Sequence, residues 1–346
     1  MTSENPIPTV DLTSFSSPST HSDADRLAAG QAFVAVLHRY GFANVIGHGF
    51  TADEINQAFQ WNKTLFDLPY ADKMKAPHPP GPFPHRGYSG IDHYARADTN
   101  TSTSPDGEEA TRKISDLKES FEVGSAHDDQ QQNIWLPDDT LPGFRAYATS
   151  LYERLAGVGS VLLAAIGLGL GLDAQEHDAL QHLASHRHSQ LRLLHYPAVS
   201  KARLRHDVRA RMPAHNDWAT FTMLFQDGDS GGLELRDPQT GGQFLRAQPE
   251  GGALVLNVGD MLERFTNGYF RSAVHRVSVP EAEMVDEETG VPARRSIPFF
   301  VSPAPSHTVA TLSRFVSDEN PRRYDPVRFG EYGASVSKYH YQVGNI

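Results

Sequence analysis

The stretch Met212-Pro213-Ala214-His215-Asn216-Asp217-Trp218 decides how the rest of the chain is interpreted. Side chains in a β-strand alternate between its two faces, so His215 and Asp217 would point the same way and Asn216 the other way. One imidazole and one carboxylate placed in this manner can bind neighbouring positions on a metal ion. The stretch therefore predicts a strand that carries two metal ligands, with a third ligand supplied from elsewhere.

The run Ser272-Ala273-Val274-His275-Arg276-Val277-Ser278-Val279 supplies that third ligand. It is rich in residues that favour strands, and it places His275 on the same face as Ala273 and Val277. Two histidines and one carboxylate on one side of an octahedron leave open positions for a co-substrate and oxygen. This set is typical of non-haem Fe(II) oxygenases.

Other interpretations of these histidines are possible from the residues alone. The chain has 17 histidines, so a distal histidine at some spacing is nearly unavoidable, and His-x-Asp also occurs on protein surfaces. A competing zinc site could form at His182 and His186, which are one helical turn apart. No glutamate follows His182, so the zinc-protease helix is absent. We interpret the histidines between His177 and His188 as an exposed helix end.

The second half of the chain reads as short strands separated by turns. Glycine-containing pairs and triplets interrupt it at 231–232, 240–242, 259–260 and 267–268, and Asn267-Gly268 is by itself a hairpin signal. Such a pattern predicts an all-β sandwich or barrel. The predicted strands are Leu191–Tyr196, Thr220–Phe225, Leu233–Leu235, Phe244–Ala247, Ala253–Val258, Ser272–Val279 and Ser296–Val301.

The first half of the chain mixes helices with strands. Ser22 and Thr51 mark helix starts, and Gly41 marks a helix stop. The predicted elements are strands at Ile7–Leu12, Phe42–Ile46 and Asp116–Val123, and helices over 22–41, from Thr51 to about Leu65, over 142–167 and over 176–186. The tail Tyr324–Tyr341 looks partly helical.

We therefore predict a mainly β fold with flanking α-helices. Its core is a double-stranded β-helix (jelly roll), with an N-terminal helical region and a C-terminal helix. One domain would cover residues 1–346: an N-terminal region 1–188 with a long loop at 76–112, a jelly-roll core 189–305 and a tail 306–346. A loop of that length is usually functional or disordered, and either its His85–Tyr88 part or the tail could form a lid.

Composition limits the class of protein. The chain has 346 residues, a formal net charge of −11 and no cysteine, which excludes disulfides, thiolate metal sites and a cysteine nucleophile. The negative charge argues against nucleic acid or an anionic membrane as a partner. No signal peptide or membrane span is evident. We expect a cytoplasmic protein with a small-molecule substrate, as a monomer or weak homo-oligomer.

Two further runs carry polar residues on predicted strands. In Arg294-Arg295-Ser296-Ile297-Pro298-Phe299-Phe300, Arg294 and Ser296 share a face and could hold a carboxylate. In Arg192-Leu193-Leu194-His195-Tyr196-Pro197, a cation and a phenol share a face and could line a pocket. Each run could equally be a strand with solvated polar ends.

Together, and in this order, these motifs resemble the isopenicillin N synthase-like family of Fe(II)/2-oxoglutarate dioxygenases, and most closely its fungal thymine hydroxylase-type members. The N-terminal segments Ile7–Leu12 and Gly41–Gly49 extend the resemblance over nearly the whole chain. The further segments that carry it are His85–Ser89, Asp116–Glu122, Leu191–Val199, Leu224–Asp227 and Val274–Val277.

The resemblance implies Fe(II), 2-oxoglutarate as co-substrate, and O₂. It implies that His215, Asp217 and His275 bind the iron. It further implies that Arg294 and Ser296, helped by Tyr196, hold the distal carboxylate of 2-oxoglutarate. The substrate pocket would be lined by Arg192, Trp218, Phe300, Tyr88 and His85.

The implied reaction is oxidation of an unactivated C–H bond of a small molecule, in natural-product (secondary) or small-metabolite metabolism. Hydroxylation is the expected outcome, and desaturation or ring formation could follow from the same chemistry. Arg192 suggests a substrate with a polar handle, because a buried cation needs a partner. The alternatives are a 2-oxoglutarate-independent iron oxidase, a zinc hydrolase on the same ligands, and an inactive metabolite-binding module.

This chain departs from the usual family pattern at two points. It has His215-Asn216-Asp217-Trp218-Ala219 where relatives often have His-Thr-Asp-Tyr-Gly or His-Thr-Asp-Trp-Gly. Leu194 stands where many plant relatives carry an asparagine near 2-oxoglutarate. The first departure could alter local strand shape, and the second leaves the metal-binding end of the co-substrate without that contact.

Overall fold

The computed structural model describes residues 7–80, 85–91, 95–97, 113–115, 118–198, 210–228, 231–237, 241–248, 250–278 and 290–340. Its strands are β1 Thr9–Asp11, β2 Phe42–Ile46, β3 Gly87–Ser89, β4 Ala95–Ala97, β5 Lys113–Ser115, β6 Glu119–Val123, β7 Gln190–Tyr196, β8 Ala210–His215, β9 Phe221–Gln226, β10 Leu233–Arg236, β11 Phe244–Arg246, β12 Leu254–Val258, β13 His275–Ser278, β14 Arg294–Val301, β15 Thr308–Val309 and β16 Val327–Arg328. Its α-helices are α1 Thr13–Ser16, α2 Asp23–Tyr40, α3 Ala52–Phe66, α4 Tyr70–Lys73, α5 Phe144–Gly169, α6 Ala174–Gln181, α7 Asp260–Phe265 and α8 Phe329–His340.

Two facing sheets form the centre of the fold. The main sheet has the strand order β1-β2-β12-β9-β14-β7-β6-β3, and the smaller sheet has the order β11-β10-β13-β8. The β1–β2 pair is parallel, and the other pairings of both sheets are antiparallel. The main sheet takes strands from both halves of the chain. This architecture confirms the predicted jelly-roll core with flanking helices.

The helices of the N-terminal half begin and end where the sequence signals lie. Ser22 and Thr51 each form a capping box, in which the cap side chain and the acidic side chain three residues later bond to each other's backbone N–H. Gly41 ends α2 in the left-handed conformation, with φ of 69°. The predictions of both helix starts and of this stop are confirmed.

Helix α5 is the core helix that covers the outer face of the main sheet. Tyr152 packs edge-on against Phe299 of β14, and Phe144 packs against Phe121 of β6. The helix is long and apolar enough to span a membrane, but 56% of its most apolar window is buried within the fold. Its burial fits a helix that packs on a sheet.

Several sequence predictions were wrong in detail. Gly259-Asp260 is followed by a short helix, α7, and not by a turn between strands. Asn267 and Gly268, with φ of 53° and 81°, terminate that helix through a bond from the Gly268 N–H to the Glu263 carbonyl, so they form no hairpin. Helix α6 ends at Gln181 and does not reach His186. A helix C-terminus and a hairpin turn use the same left-handed residues, which explains the confusion.

The predicted irregular loop at 76–112 lies partly outside the described residues. Its described part contains β3, which pairs with β6 and extends the main sheet, and β4, which pairs with β5. The segment around Tyr88 is therefore an edge strand and not a loop.

The C-terminal tail is helical over α8, as predicted, and it packs close to the predicted metal site. Phe329 stacks on Trp218 with 5.8 Å between ring centroids. A side chain at Gly333 would overlap the Trp218 indole. The Tyr332 hydroxyl donates to the Asp260 carboxylate at 2.8 Å. These contacts fix the tail helix over the segment that follows β8.

Helices α2 and α5 approach closely because two glycines face each other. A Cβ at Gly169 would overlap the Gly30 carbonyl group, whereas a Cβ at Gly157, in the same helix, would meet nothing within 4 Å. We expect Gly169→Ala to lower the free energy of unfolding by about 1–3 kcal/mol through overpacking. Gly157→Ala should raise it by about 0.5–1 kcal/mol, because alanine favours helix.

Urea unfolding of the two variants and the unchanged protein measures both effects. Equal stabilities for the two variants would contradict the close packing of these helices.

Candidate metal centre

Three side chains converge between the two sheets: His215, Asp217 and His275. The His215 Nε2 lies 3.7 Å from Asp217 Oδ1, and the His275 Nε2 lies 3.8 Å from Asp217 Oδ2. Ligands bonded to one ion at about 2.0–2.2 Å can be up to about 4.4 Å apart, so the His215–Oδ1 separation suits a shared ion. One ligand atom from each of the three residues lies within 4.8 Å of the others. The two imidazole centroids are 4.2 Å apart. The structure therefore brings together the three residues that the sequence singled out.

The strand geometry behind this convergence differs from the prediction in one respect. His215 is the last residue of β8, so Asp217 lies beyond the strand. His275 pairs directly with His215, but the next pair is Val277 with Met212, so β8 contains an extra residue. This β-bulge lets Met212 and His215 face the same interior although they are three positions apart.

Both imidazoles are oriented by backbone carbonyls. The Nδ1 of His215 lies 2.9 Å from the Pro213 carbonyl oxygen, and the Nδ1 of His275 lies 2.9 Å from the Ala273 carbonyl oxygen. A carbonyl can only accept, so each Nδ1 must carry the proton. In a neutral ring this proton leaves the Nε2 lone pair directed at the site, which is the form that a metal requires.

The carboxylate of Asp217 is held by two neutral donors from the main sheet. Thr222 Oγ1 donates to Oδ2 at 2.6 Å, and Asn257 Nδ2 donates to the same oxygen at 2.7 Å. Oδ1 accepts no hydrogen bond from a described residue, which leaves it free to bind a cation. The donor set fits a divalent metal of the iron type, since two neutral imidazoles and one carboxylate occupy one side of the site.

The interior face of the main sheet continues away from this triad. Residues directly opposite each other in a sheet share a face, so the side chains on the face of Thr222 and Asn257 can be followed along the register. They are Asn44, Gln226, Arg294, Ser296, Phe300, Gln190, Arg192, Leu194, Tyr196, Ser120 and Glu122. The predicted co-substrate residues and two predicted pocket residues therefore share the interior with the metal centre.

Arg294 is one of the most buried residues of the fold, with 1% of its surface exposed. Its NH1 donates to Ser296 Oγ at 3.0 Å, its NH2 to Gln226 Oε1 at 3.0 Å, and its guanidinium lies 5.1 Å from the Tyr196 ring centroid. Burial lowers the pKa of Arg294. No carboxylate of a described residue forms an ion pair with it, so this site is suited to a bound anion.

Arg192 has a partner inside the protein. Its Nε lies 2.6 Å from Glu122 Oε1, and its guanidinium lies 5.1 Å from the Phe300 ring centroid. Burial would raise the pKa of Glu122, but Arg192 and other neighbours bring it below its ordinary value. The sequence argument that the Arg192 cation needs a substrate group is therefore weakened, because Glu122 already neutralises it.

His85 lies close to this pair but is deeply buried. Burial lowers the pKa of His85 to about 3, so its ring is neutral at physiological pH. Its ring centroid lies 5.7 Å from that of His78. The His85 side chain therefore contributes a neutral imidazole to the end of the interior where Glu122 and Arg192 lie.

Tyr88 does not face this interior. It pairs with Phe121 on the helix-covered face of the main sheet, and its hydroxyl donates to Glu119 at 2.6 Å. Its placement in the substrate pocket is not supported, because the strand alternation directs its ring to the opposite face. Trp218 lies next to Asp217 and packs against α8, so it forms a wall between the metal centre and the tail.

Two other histidine clusters are less suited to a metal. The His182 side chain lies at the exposed end of α6, and the His186 Nε2 bonds with Ser160 Oγ at 2.8 Å, so the competing zinc pair does not form a described metal cluster. Asp128, Asp129 and His188 do approach one another. However, Asp128 is already paired with Arg86 at 2.8 Å.

The fold and this site define a class. Residues 187–303 match the 2OG-Fe(II) oxygenase superfamily, and residues 7–140 match the N-terminal region described as non-haem dioxygenase in morphine synthesis. The chain belongs to this family, and it is an Fe(II)- and 2-oxoglutarate-dependent dioxygenase that oxidises a small molecule. The family assignment made from the sequence is confirmed.

Two curated relatives show how similar the chain is to individual members of the family. The chain is 34% identical to the 2-oxoglutarate-dependent dioxygenase ecdK of Aspergillus rugulosus over 92% of this chain and 94% of that one. It is 38% identical to the proline hydroxylase buaE of Petromyces alliaceus, over 85% and 87% of the two chains.

Among solved structures, the full-length thymine hydroxylase of Neurospora crassa in complex with alpha-KG and thymine matches with a TM-score of 0.82 and 28% identity over 97% of each chain. The expected likeness to thymine hydroxylase-type members is confirmed.

Sequence reasoning missed the residues that support the site. Thr222, Asn257, Glu122 and Arg211 are polar residues buried in strands. The detectable signal was a polar residue within an apolar run, as at Asn257 in Leu254–Val258. Which face such a residue occupies depends on register and bulges, and these could not be deduced from the sequence.

We expect Thr222→Val to weaken metal binding by about 10- to 100-fold, because the Asp217 carboxylate would lose one of its two orienting donors. Isothermal titration of the metal-free protein with Mn(II) measures this. Thr266→Val is the matched control, since Thr266 is also buried but donates to the Leu262 carbonyl at the end of helix α7. Equal affinities for the two variants would contradict the supporting role of Thr222.

Proposed function

We propose that His215, Asp217 and His275 hold the Fe(II) of this dioxygenase. The observation that carries the proposal is the convergence of two Nε2 lone pairs and one unpaired carboxylate oxygen between the sheets. Iron bound there supplies the activation of O₂. The chain holds the metal on one side only, so the remaining positions are available to co-substrate and oxygen.

We also propose that Arg294 and Ser296, with Tyr196, bind the distal carboxylate of 2-oxoglutarate. A buried guanidinium without an internal carboxylate is costly unless an anion completes it. Its hydrogen bonds to Ser296 and Gln226 fix the plane of the guanidinium for paired bonds to a carboxylate. This role also argues against a 2-oxoglutarate-independent oxidase, which would have no use for such an anchor.

The triad and the anchor can be tested separately without a substrate. Under anaerobic conditions, Fe(II) with 2-oxoglutarate should produce a visible charge-transfer absorption band. His275→Ala should abolish the band by removing a ligand. Arg294→Met should raise the 2-oxoglutarate concentration needed to form the band by at least 10-fold, since a charged hydrogen bond contributes about 1.5–3 kcal/mol.

His182→Ala is the control for the first variant, because His182 is exposed at the end of α6 and takes no part in the proposed sites. A band of full strength in His275→Ala would contradict the proposed ligand set.

We propose that the substrate enters the interior beside Phe300, Arg192 and Glu122. Phe300 offers an aromatic face, and the partly exposed Arg192 offers donors whose charge the fully buried Glu122 neutralises. Such a surface favours a neutral ring or amide-like group over a carboxylate, which a lone arginine would prefer. Trp218 would form a further wall. His85 would add a neutral polar edge, and Tyr88 would act only through the strand that carries it.

A screen that measures succinate formation would identify accepted substrates, with thymine as a first neutral probe. The double variant Arg192→Gln/Glu122→Gln removes both charges and leaves neither one unpaired. We expect it to raise KM for the accepted substrate at least 10-fold while the Kd for 2-oxoglutarate stays within about twofold. Equal losses in both constants would contradict a substrate role for the pair.

We propose finally that the enzyme acts in secondary metabolism, in the cytoplasm, as a monomer or weak homo-oligomer without nucleic-acid or membrane partners. The names of the fungal relatives and the net charge of −11 support this. Light scattering after size-exclusion chromatography measures the oligomeric state, and microscopy of a tagged chain measures the location.

A further inference from the structure

Two buried guanidiniums, those of Arg211 and Arg294, are near enough in the jelly-roll interior for the charge of one to act on the other. Arg211 of β8 is 3% exposed and Arg294 of β14 is 1% exposed. The Arg211 NH2 donates to the Pro292 carbonyl, while its Nε is buried and has no hydrogen-bond partner among the described residues. Arg294 and Tyr196 are the groups whose charges act on Arg211. No carboxylate of a described residue forms an ion pair with either cation, and the charge of Asp227 is the one described carboxylate charge that acts on Arg294.

This arrangement is unfavourable in the ligand-free protein. Burial, and then the charge of Arg294, lowers the pKa of Arg211 to about 10, which leaves it protonated at neutral pH. Two like charges in a dry interior cost stability unless an anion joins them. A bound anion would offset this cost, because it would interact favourably with both cations.

The backbone directs Arg211 to this place. Val277 of β13 pairs with Met212, and the next residue, Ser278, pairs with Ala210, so Arg211 is an extra residue in β8. A bulge of this kind changes the direction of a side chain. Because Met212 already contacts the Tyr196 hydroxyl through its sulfur at 3.8 Å, the bulge allows two consecutive residues to approach the same site.

We propose that Arg211 is a second anchor for the distal carboxylate of 2-oxoglutarate, acting beside Arg294. The inference rests on the proposed co-substrate site and extends it by one residue. Each carboxylate oxygen has two lone pairs, so a carboxylate that accepts paired bonds from Arg294 can accept a further bond from Arg211. This role accounts for a second buried arginine at a site where Arg294 and Ser296 already contact the proposed carboxylate position.

Binding to the Mn(II)-loaded protein tests this without turnover. Isothermal titration compares 2-oxoglutarate with 2-oxopentanoate, which has the same carbon chain but no distal carboxylate. We expect Arg211→Met to weaken 2-oxoglutarate binding by about 10- to 100-fold and to leave 2-oxopentanoate within about twofold. Arg236→Met is the control, since Arg236 is exposed on β10 and packs over Phe244.

Thermal unfolding gives a second test. If Arg211 were only structural, its replacement would lower the melting temperature of the ligand-free protein. Ligand-free Arg211→Met should melt at a higher temperature than the unchanged protein, because it lacks one of two repelling buried charges. Its Tm should rise less on addition of 2-oxoglutarate. Arg211→Lys, which keeps the charge but not the planar fork, should show a smaller loss of 2-oxoglutarate binding and again none for 2-oxopentanoate.

Three results would overturn the proposal. Arg211→Met and Arg211→Lys could both bind 2-oxoglutarate as the unchanged protein does. They could lose both ligands equally, which would give Arg211 a general structural role. The unchanged protein could bind neither ligand, which would reject the proposed co-substrate site as well and is thereby distinguished from the first two results.

Discussion

The hydrogen bonds from Thr222 and Asn257 to the Asp217 carboxylate join the two sheets at the proposed metal centre. Asp217 follows a strand of the smaller sheet, while both donors belong to the main sheet. The relative position of the sheets therefore sets the direction of the free Asp217 oxygen.

Charge in the interior follows a consistent rule. Glu122 neutralises Arg192, and Arg86 neutralises Asp128, so these buried ions satisfy each other within the fold. Arg294 and Arg211 lack such partners among the described residues. The internal pairs need no ligand, whereas we propose that the cations without an ion-pair partner mark where a ligand carries the opposite charge. On this proposal, pairing separates structural from ligand-binding arginines, although all are similarly buried.

Much of the fold and the three metal-binding candidates could be predicted from local sequence. The helix caps at Ser22 and Thr51 and the strands β9, β12 and β14 depend on neighbouring residues, and these predictions were confirmed. The helix over Asp260–Phe265 was missed because its terminating Asn267-Gly268 also suits a hairpin. Tyr88 was assigned to the pocket because no local signal shows which face of an edge strand will be covered by helices. Glu122 escaped notice because its partner lies in another strand.

One consequence follows from strand β8 itself. It carries His215 at its end and Arg211 near its start, four positions earlier, so the metal centre and the second cation belong to one rigid element. Strands advance by about 3.3 Å per residue, and the bulges shorten that span. On the proposed assignment, a diacid bound to the metal and to both arginines spans a distance that this strand fixes. We infer that a diacid with one methylene more or fewer loses its contacts at one end, so the backbone of β8 selects the length of the co-substrate.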